Sequence, residues 1–228
     1  MILSSYIWFA PSYFSPKECD EIDRAALTLP VHEGRIGKDD RDADSPTEEG
    51  GNRDDSIRTS TIKWFSPTDG DLPANIIQKL FDVTCQANDE TGWQHNFDYK
   101  ENTQYTVYHA DNEKPKGDFY TWHTDAGPEV NPDGSMRKLS MTVQLSDPDD
   151  YEGGHFQWLE PQRQFDKMEI NTGKPTIDIE QCICTAPFSA KERGSVIIFP
   201  SFLYHQVTPL SRGIRKVLVN WYCGKPYV

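Results

Sequence analysis

The stretch SVIIFPSFLYHQVTPLSRGIRKVLVNW, residues 195–221, decides the fold. Its opening, Ser195-Val196-Ile197-Ile198-Phe199-Pro200, is a β-branched and aromatic run too short for a helix and closed by proline, so it reads as a buried strand. His205 follows it, within Phe202-Leu203-Tyr204-His205-Gln206-Val207. In the last part, Val217, Val219 and Trp221 alternate, and residues two apart on a strand share a face. Arg215 heads that face, ten residues after His205. A cation leading an apolar strand face reads as the mouth of a barrel interior, where a planar guanidinium can grip a carboxylate with two parallel hydrogen bonds. If Arg215 points inward, Lys216 points outward.

The same texture extends upstream. Residues 103–110, 119–125, 139–145, 154–159, 182–186, 195–199 and 216–222 are short β-branched or aromatic runs with turns between them. Asn131-Pro132-Asp133-Gly134 is a strong turn signal, and residues 171–175 interrupt the run as an inserted loop. Before residue 102 the pattern is helical. Ser15-Pro16-Lys17-Glu18 supplies an N-cap, a proline at the first helical position and a glutamate three residues after the cap. Cys19, Ile22, Ala26 and Leu29 then share one face. A second helix is expected over 72–87, with Ile76, Ile77, Leu80, Phe81 and Val83 apolar. Between the helices, residues 32–55 are rich in Gly, Asp and Glu with almost no large apolar side chain. That segment cannot pack a core and reads as a mobile lid. Helices followed by many short strands predict a mainly β protein with flanking helices (α+β), a sandwich or barrel on a helical support.

The chain has 228 residues, 12% of them aromatic, enough for one β domain of ordinary size. We expect a single domain over 1–228, with 1–100 as the supporting region and 103–223 as the β core. The formal net charge of -13 argues against a nucleic-acid or anionic-membrane surface, which needs clustered Lys and Arg. No segment approaches the roughly 20 apolar residues of a spanning helix. The opening MILSSYIWFAPSYF lacks a basic leader and is broken by Pro11, so it reads as a strand and not a signal peptide. Five cysteines, Cys19, Cys85, Cys182, Cys184 and Cys223, form no zinc-type CxxC pair. Reduced thiols in a cytoplasmic compartment fit that set.

His123-Thr124-Asp125 is the sharpest chemical feature. On an extended strand the imidazole and the carboxylate project from one face, and His205 is the candidate third ligand. Two histidines and one carboxylate on a triangular face leave open positions, which suits Fe(II) oxygenases. Zinc enzymes use the same donors, so donor type alone leaves the metal open. A lone HxD arises often by chance, and most histidines are structural. The weight comes from the order of the surrounding pieces.

Those pieces are Gln104-Tyr105-Thr106-Val107-Tyr108-His109, Tyr120-Thr121-Trp122-His123-Thr124-Asp125, Arg137-Lys138-Leu139-Ser140-Met141-Thr142-Val143, Glu152-Gly153-Gly154, Arg193-Gly194-Ser195-Val196-Ile197-Ile198-Phe199, His205, and Gly213-x-Arg215 leading to Trp221. In this order, over roughly 103–223, they resemble the 2-oxoglutarate/Fe(II) oxygenase superfamily, in particular its prolyl 4-hydroxylase-like branch. The resemblance implies a double-stranded β-helix (jelly-roll) core. It implies His123, Asp125 and His205 as iron ligands, Arg215 and Tyr108 on the distal carboxylate of 2-oxoglutarate, and Tyr120, Arg137 and Trp221 against a substrate proline. It further implies Fe(II), 2-oxoglutarate and O2 as cofactors, with ascorbate as an optional reductant, and a proline-containing peptide or protein as partner. The chain departs from the family pattern at Gln144, where relatives often carry Tyr, and at His155-Phe156 after the glycine pair. Collagen-type members usually carry Lys where Arg215 stands. Three other readings compete: hydroxylation of a free amino acid or small metabolite, a non-enzymatic cupin-like ligand-binding barrel, and a zinc hydrolase. The oligomeric state is not legible.

Overall fold

The computed structural model describes residues 1–34, 54–66, 70–110, 116–127, 130–131, 133–160 and 179–226. Most of the expected lid, and the expected inserted loop at 171–175, lie outside the described residues. Two short strands, β1 (Ile2–Ser4) and β2 (Ile7–Ala10), open the chain and are followed by helix α1 (Pro16–Ala26). Then come β3 (His32–Glu33), β4 (Arg58–Thr59), β5 (Thr61–Phe65), helix α2 (Ala74–Thr91) and β6 (Tyr99–Lys100). The run of strands expected after residue 102 follows: β7 (Thr103–His109), β8 (Phe119–His123), β9 (Met136–Gln144), β10 (Tyr151–Gly153) and β11 (Phe156–Leu159). A short helix α3 (Ile179–Cys182) leads to β12 (Ile183–Thr185), β13 (Val196–Pro200), β14 (His205–Val207) and β15 (Leu210–Gly224).

These strands form two antiparallel sheets packed as a jelly roll. The larger runs β1-β2-β13-β9-β15-β7-β5-β3, with β10 and β6 also paired to β15; the smaller runs β12-β11-β14-β8-β4. β15 is the spine, because it pairs with β9 on one side and β7 on the other. Period-two alternation gives this strand two jobs. Val217 and Trp221 face the space between the sheets, while Leu218 and Tyr222 join the core under the helices. Its length of 15 residues exceeds the expected 216–222. Ser211, Arg212 and Arg215 interrupt the apolar pattern, so only pairing on both edges reveals the whole strand.

The helices brace the outer face of the larger sheet. Cys19 and Ile22 of α1 and Ile76, Leu80 and Val83 of α2 are buried with Leu139, Val143, Leu218 and Tyr222. A fully buried Leu or Ile contributes about 1.5–3 kcal/mol, so this layer anchors the helices to the sheet. The capping box expected at Ser15 forms: the Ser15 hydroxyl accepts from the Glu18 amide, and Glu18 accepts from the Ser15 amide at 2.7 Å. Glu18 also pairs with Lys79 of α2 at 2.8 Å, tying the helices together. Helix α2 begins and ends later than the expected 72–87. Pro73 is its N-cap, and Gly92, at φ 69°, closes it by donating to the Asp89 carbonyl. Its last turn, Asn88-Asp89-Glu90-Thr91, is polar, so the apolar period fades before the helix ends. The N-terminal region supplies strands as well as helices. β5 pairs with β7 and β4 with β8. Cys182 ends α3 instead of sharing a strand with Cys184. None of the five cysteines is joined in a disulfide, and among the described residues no helix is long and apolar enough to cross a membrane.

One glycine joins the α1 entrance to the sheets. Gly194 has φ +84°, its amide donates to the Gln144 carbonyl, and its own carbonyl accepts from the Phe14 amide at 3.0 Å. An added Cβ would run into the Phe14 carbonyl. Gly194→Ala is expected to destabilise the protein by at least about 2 kcal/mol, the sum of left-handed strain and displacement of the Phe14 segment. Urea unfolding of the variant against the parent checks this.

Candidate metal centre and its cleft

Strands β8 and β14 lie side by side with the His123 and His205 Cα positions in register. That pairing brings together residues 82 positions apart in the chain. Asp125 lies just past the end of β8. The Asp125 and Ala126 amides both donate to the Ser201 carbonyl, at 2.9 and 2.8 Å, which folds the turn back over His205. His123 Nε2 and His205 Nε2 each lie 3.7 Å from an Asp125 oxygen, and the ligand atoms of the three residues are within 4.8 Å of one another.

Both imidazoles are oriented for ligation. His123 Nδ1 lies 2.8 Å from the Thr121 carbonyl and His205 Nδ1 2.8 Å from the Leu203 carbonyl. A carbonyl oxygen only accepts, so each Nδ1 carries its proton, and the Nε2 lone pairs converge beside the carboxylate. Burial pushes the His123 pKa down to about 3, with repulsion from His205 adding to it. At neutral pH the ring is therefore neutral, as a ligand must be. Burial acts to raise Asp125, but His205, His123 and Arg137 outweigh it and hold the carboxyl below the usual range. Aromatic rings pack the centre. Tyr120 stacks on His123 at 3.5 Å and 10°, and Phe199 meets the His205 ring edge-on at 4.6 Å.

The triad opens into a cleft of about 630 Å³. Tyr108, Tyr120, Arg137, Arg215 and Trp221 line it together with the triad, so the residues expected on the metal, the co-substrate and the substrate all reach the same space. Arg215 is 5% exposed, and its Nε and Nη1 have no hydrogen-bond partner among the described residues. Its guanidinium carbon lies 5.4 Å from the centre of the Tyr108 ring. A glycine makes room for the side chain: a Cβ on Gly154 would approach Arg215 Cδ to 2.8 Å. Lys216 points the opposite way, as alternation requires, and reaches Asp23 at 3.8 Å.

Two of the residues expected against a substrate are partly committed elsewhere. Arg137 forms a two-pronged ion pair with Glu101, Nη2 to Oε2 at 2.5 Å, and its guanidinium lies over the Trp221 ring at 3.9 Å. Tyr120 has His123 on one face and the Arg58 guanidinium 4.8 Å from its ring centre. Trp221 Nε1 is buried with no partner among the described residues.

Arg58 is the residue the sequence did not announce. It is 5% exposed, donates from Nε to Ser60 and from Nη2 to Gln104, and lines the cleft. Nothing in its local context separates it from a surface arginine, because only the β4–β8 pairing carries it inward. Glu101 and Gln104 likewise acquire their places only through neighbours distant in the chain, Glu101 by its amide bond to the Trp221 carbonyl and Gln104 opposite Val219 of β15.

Residues 103–223 match the model of the 2OG-Fe(II) oxygenase superfamily. Among known proteins, a PKHD-type hydroxylase from Synechococcus sp. is 33% identical over 107 residues, covering 46% of this chain and 36% of that protein. One from Sphingopyxis alaskensis is 31% identical over 106 residues, covering 46% and 38%. The chain thus matches little more than a third of the length of these curated relatives. Among solved structures, the viral collagen prolyl hydroxylase of Paramecium bursaria Chlorella virus-1, in its 2OG complex, aligns over 97% of both chains with TM-score 0.57 and 17% identity. A Pseudomonas putida prolyl-4-hydroxylase aligns over 96% of this chain and 93% of its own with TM-score 0.58 and 16% identity. A Trichoplax adhaerens prolyl hydroxylase bound to a hypoxia inducible factor peptide covers 96% and 84% with TM-score 0.59 and 16% identity. At these identities the likeness is one of fold.

The depressed His123 pKa has a measurable consequence. As pH falls below about 6.5 the unfolded chain protonates this imidazole, whereas the folded protein resists until about 3. The unfolded state then binds more protons, so the metal-free protein loses stability on acidification through that window, by about 1.4 kcal/mol per pH unit for one such group. Urea titrations in chelator between pH 6.5 and 4 are expected to show this slope, and His123→Gln to flatten it by about one proton. An unchanged slope in the variant would assign the effect to other groups.

Proposed function

The chain belongs to the 2OG-Fe(II) oxygenase superfamily, and from that premise we propose that it is a 2-oxoglutarate- and Fe(II)-dependent dioxygenase that hydroxylates prolyl residues in a peptide or protein. One observation carries the reading. Two carbonyl-locked imidazoles and a carboxylate meet at one end of a cleft, and a buried arginine with unpartnered donors stands further along it.

The residues present fit both missing groups. His123, Asp125 and His205 would hold the metal through one face, leaving the other side open toward the cleft. That arrangement favours non-haem Fe(II) over a closed structural site. Arg215 would hold the distal carboxylate of 2-oxoglutarate, its unpartnered nitrogens gaining the partner that a buried cation needs. When bound, Fe(II), 2-oxoglutarate and O2 supply the oxidising power to place a hydroxyl on an unactivated C–H, with release of succinate and CO2. The protein supplies position and dryness. Tyr108, buried behind Arg215, has its phenol pushed up by burial, so the hydroxyl remains a donor at neutral pH. Met141, Phe156, Phe199 and Val207 line the cleft with apolar surface that excludes water from the reacting end.

A prolyl target suits the Trp221 side of the cleft, where the indole is fixed under Arg137 and its Nε1 is available as a donor. An extended or polyproline II peptide binds with little further loss of freedom. The two covered faces of Tyr120 confine its contribution to its edge and hydroxyl. Relatives named as hydroxylases, and prolyl hydroxylases of the same fold, support this choice. Free amino acids or small acids are the second reading, favoured by Arg58, which adds a further buried cation to the cleft.

Succinate release with Fe(II), 2-oxoglutarate, ascorbate and a panel of proline peptides tests the proposal, with mass spectrometry of the products. The expected result is a mass increase of about one oxygen localised to proline, and Asp125→Ala abolishing turnover while melting like the parent. Full turnover in that variant would remove the metal assignment. Hydroxylated amino acids with untouched peptides would leave the enzyme class and overturn the prolyl substrate. Arg215→Ala is expected to raise the 2-oxoglutarate requirement steeply, since truncating one partner of a buried charge pair costs about 2–5 kcal/mol. An unchanged requirement would free Arg215 from this role.

A further inference from the structure

Behind the triad, two buried hydroxyls stand where apolar side chains would avoid the cost of desolvation. Ser201 is fully buried, Ser140 is 1% exposed, and their oxygens lie 2.9 Å apart. Ser140 sits on β9 two residues before Thr142, which lines the cleft, so alternation turns its side chain to the same inner face. There it hydrogen-bonds to the Asp125 carboxyl and helps to hold that acid in its charged form. A carboxylate only accepts, so the Ser140 proton goes to Asp125. The proton that fills the contact between the two hydroxyls is then the one on Ser201. The direction of the chain is fixed: Ser201 to Ser140 to Asp125.

Ser201 is itself firmly held. Its amide donates to the Lys138 carbonyl of β9 at 2.9 Å, and its carbonyl takes the Asp125 and Ala126 amides. The turn that contains it is closed by the Leu203 amide, which donates to the Pro200 carbonyl at 2.9 Å. Leu203 in turn offers its carbonyl to His205 Nδ1. One turn, residues 200–203, therefore fixes the backbone of Asp125 and the tautomer of His205. The backbone bonds cannot aim a carboxylate, because the side-chain torsions of Asp125 lie beyond them. A side-chain partner is needed for that, and Ser140 supplies it. Two hydroxyls bonded only to each other would satisfy burial, but would leave the contact of Ser140 with Asp125 without a purpose.

We propose that Ser140 is a positioning residue of the metal centre, with Ser201 behind it: the hydroxyl chain aims the Asp125 carboxylate at the convergent imidazoles and raises the affinity of the site for its metal. The inference rests on the metal assignment of the proposed function. Neither serine is a ligand, and each acts through Asp125. The bond from Ser140 occupies one lone-pair position of the carboxylate and leaves the others for the metal. It also holds the carboxylate in place while the site is empty, so less freedom is lost when the metal enters.

The test reads Fe(II) binding to the whole chain, without oxygen or 2-oxoglutarate, by competition with a coloured chelator. Ser140→Ala is expected to weaken Fe(II) affinity at least about tenfold, the scale on which outer partners of metal ligands act. In chelator, free of metal, it should melt like the parent. Ser201→Ala keeps the backbone carbonyl and removes only the far donor, so its loss should be measurable but smaller. Because Ser201 acts through Ser140, the double variant should bind no more weakly than Ser140→Ala alone. Unchanged affinity in either single variant overturns the proposal. So do losses that multiply in the double variant, since they would mark two independent effects. Should Ser140→Ala melt far below the parent, Ser201→Ala decides alone on the same criterion. A parent that binds no Fe(II) overturns the metal assignment itself, whereas a parent that binds Fe(II) and hydroxylates no peptide leaves this measurement valid.

Discussion

The pairing of β8 with β14 is the interaction on which the site depends. It sets His123 opposite His205 and gives each imidazole a backbone carbonyl two residues back to which it donates. Those carbonyls fix the tautomer as well as the ring direction, so both Nε2 lone pairs are presented without any metal to organise them. Asp125 completes the set because its own amide and that of Ala126 share the Ser201 carbonyl.

That larger sheet presents an unusually polar inner face. Gln104, Thr106, Arg137, Thr142 and Arg215 point into space between two sheets, where apolar side chains would be cheapest. Arg137 is neutralised by Glu101, and losing either partner would strand a buried charge, at about 3–5 kcal/mol. Arg215 has no such internal answer among the described residues. A site that retains a buried cation with open donors is arranged for a ligand, since the same strand position filled by Val or Leu would be more stable without one. Helices α1 and α2 offset that expense by burying a continuous apolar layer behind the sheet.

The aromatic neighbours constrain rather than advertise the chemistry. The parallel stack of Tyr120 on His123, with Arg58 beyond it, holds the His123 imidazole against rotation. Arg137 over Trp221 does the same for the indole at the other wall. Rings fixed in this way present defined edges to whatever enters the cleft, and little freedom is lost when it does.

Much of this was legible in the chain, for local reasons. Alternation at Val217, Val219 and Trp221, the β-branched run 196–199 and the Ser15 capping box each encode a backbone conformation within a few residues, so strand texture, a helix start and the orientation of Arg215 against Lys216 could be read directly. His123 and Asp125 were visible because their spacing of two is itself local, and the ordered motifs extended that to His205. What the sequence could not carry was any relation that depends on which strands become neighbours. Arg58 and Glu101 look like surface charges until β4 meets β8 and the Glu101 segment closes on Arg137. The true length of β15 is hidden by its charged residues until two partner strands satisfy its backbone. The space that Gln144, Tyr151, Lys191 and Arg215 line together has no motif at all, because they come from separate segments. The sequence by itself determined the conformations, the alternation and the donor types. Only the tertiary structure decided which buried polar groups meet and which are left waiting for a ligand, because hydrogen bonds and charges between distant residues are settled by packing and not by spacing.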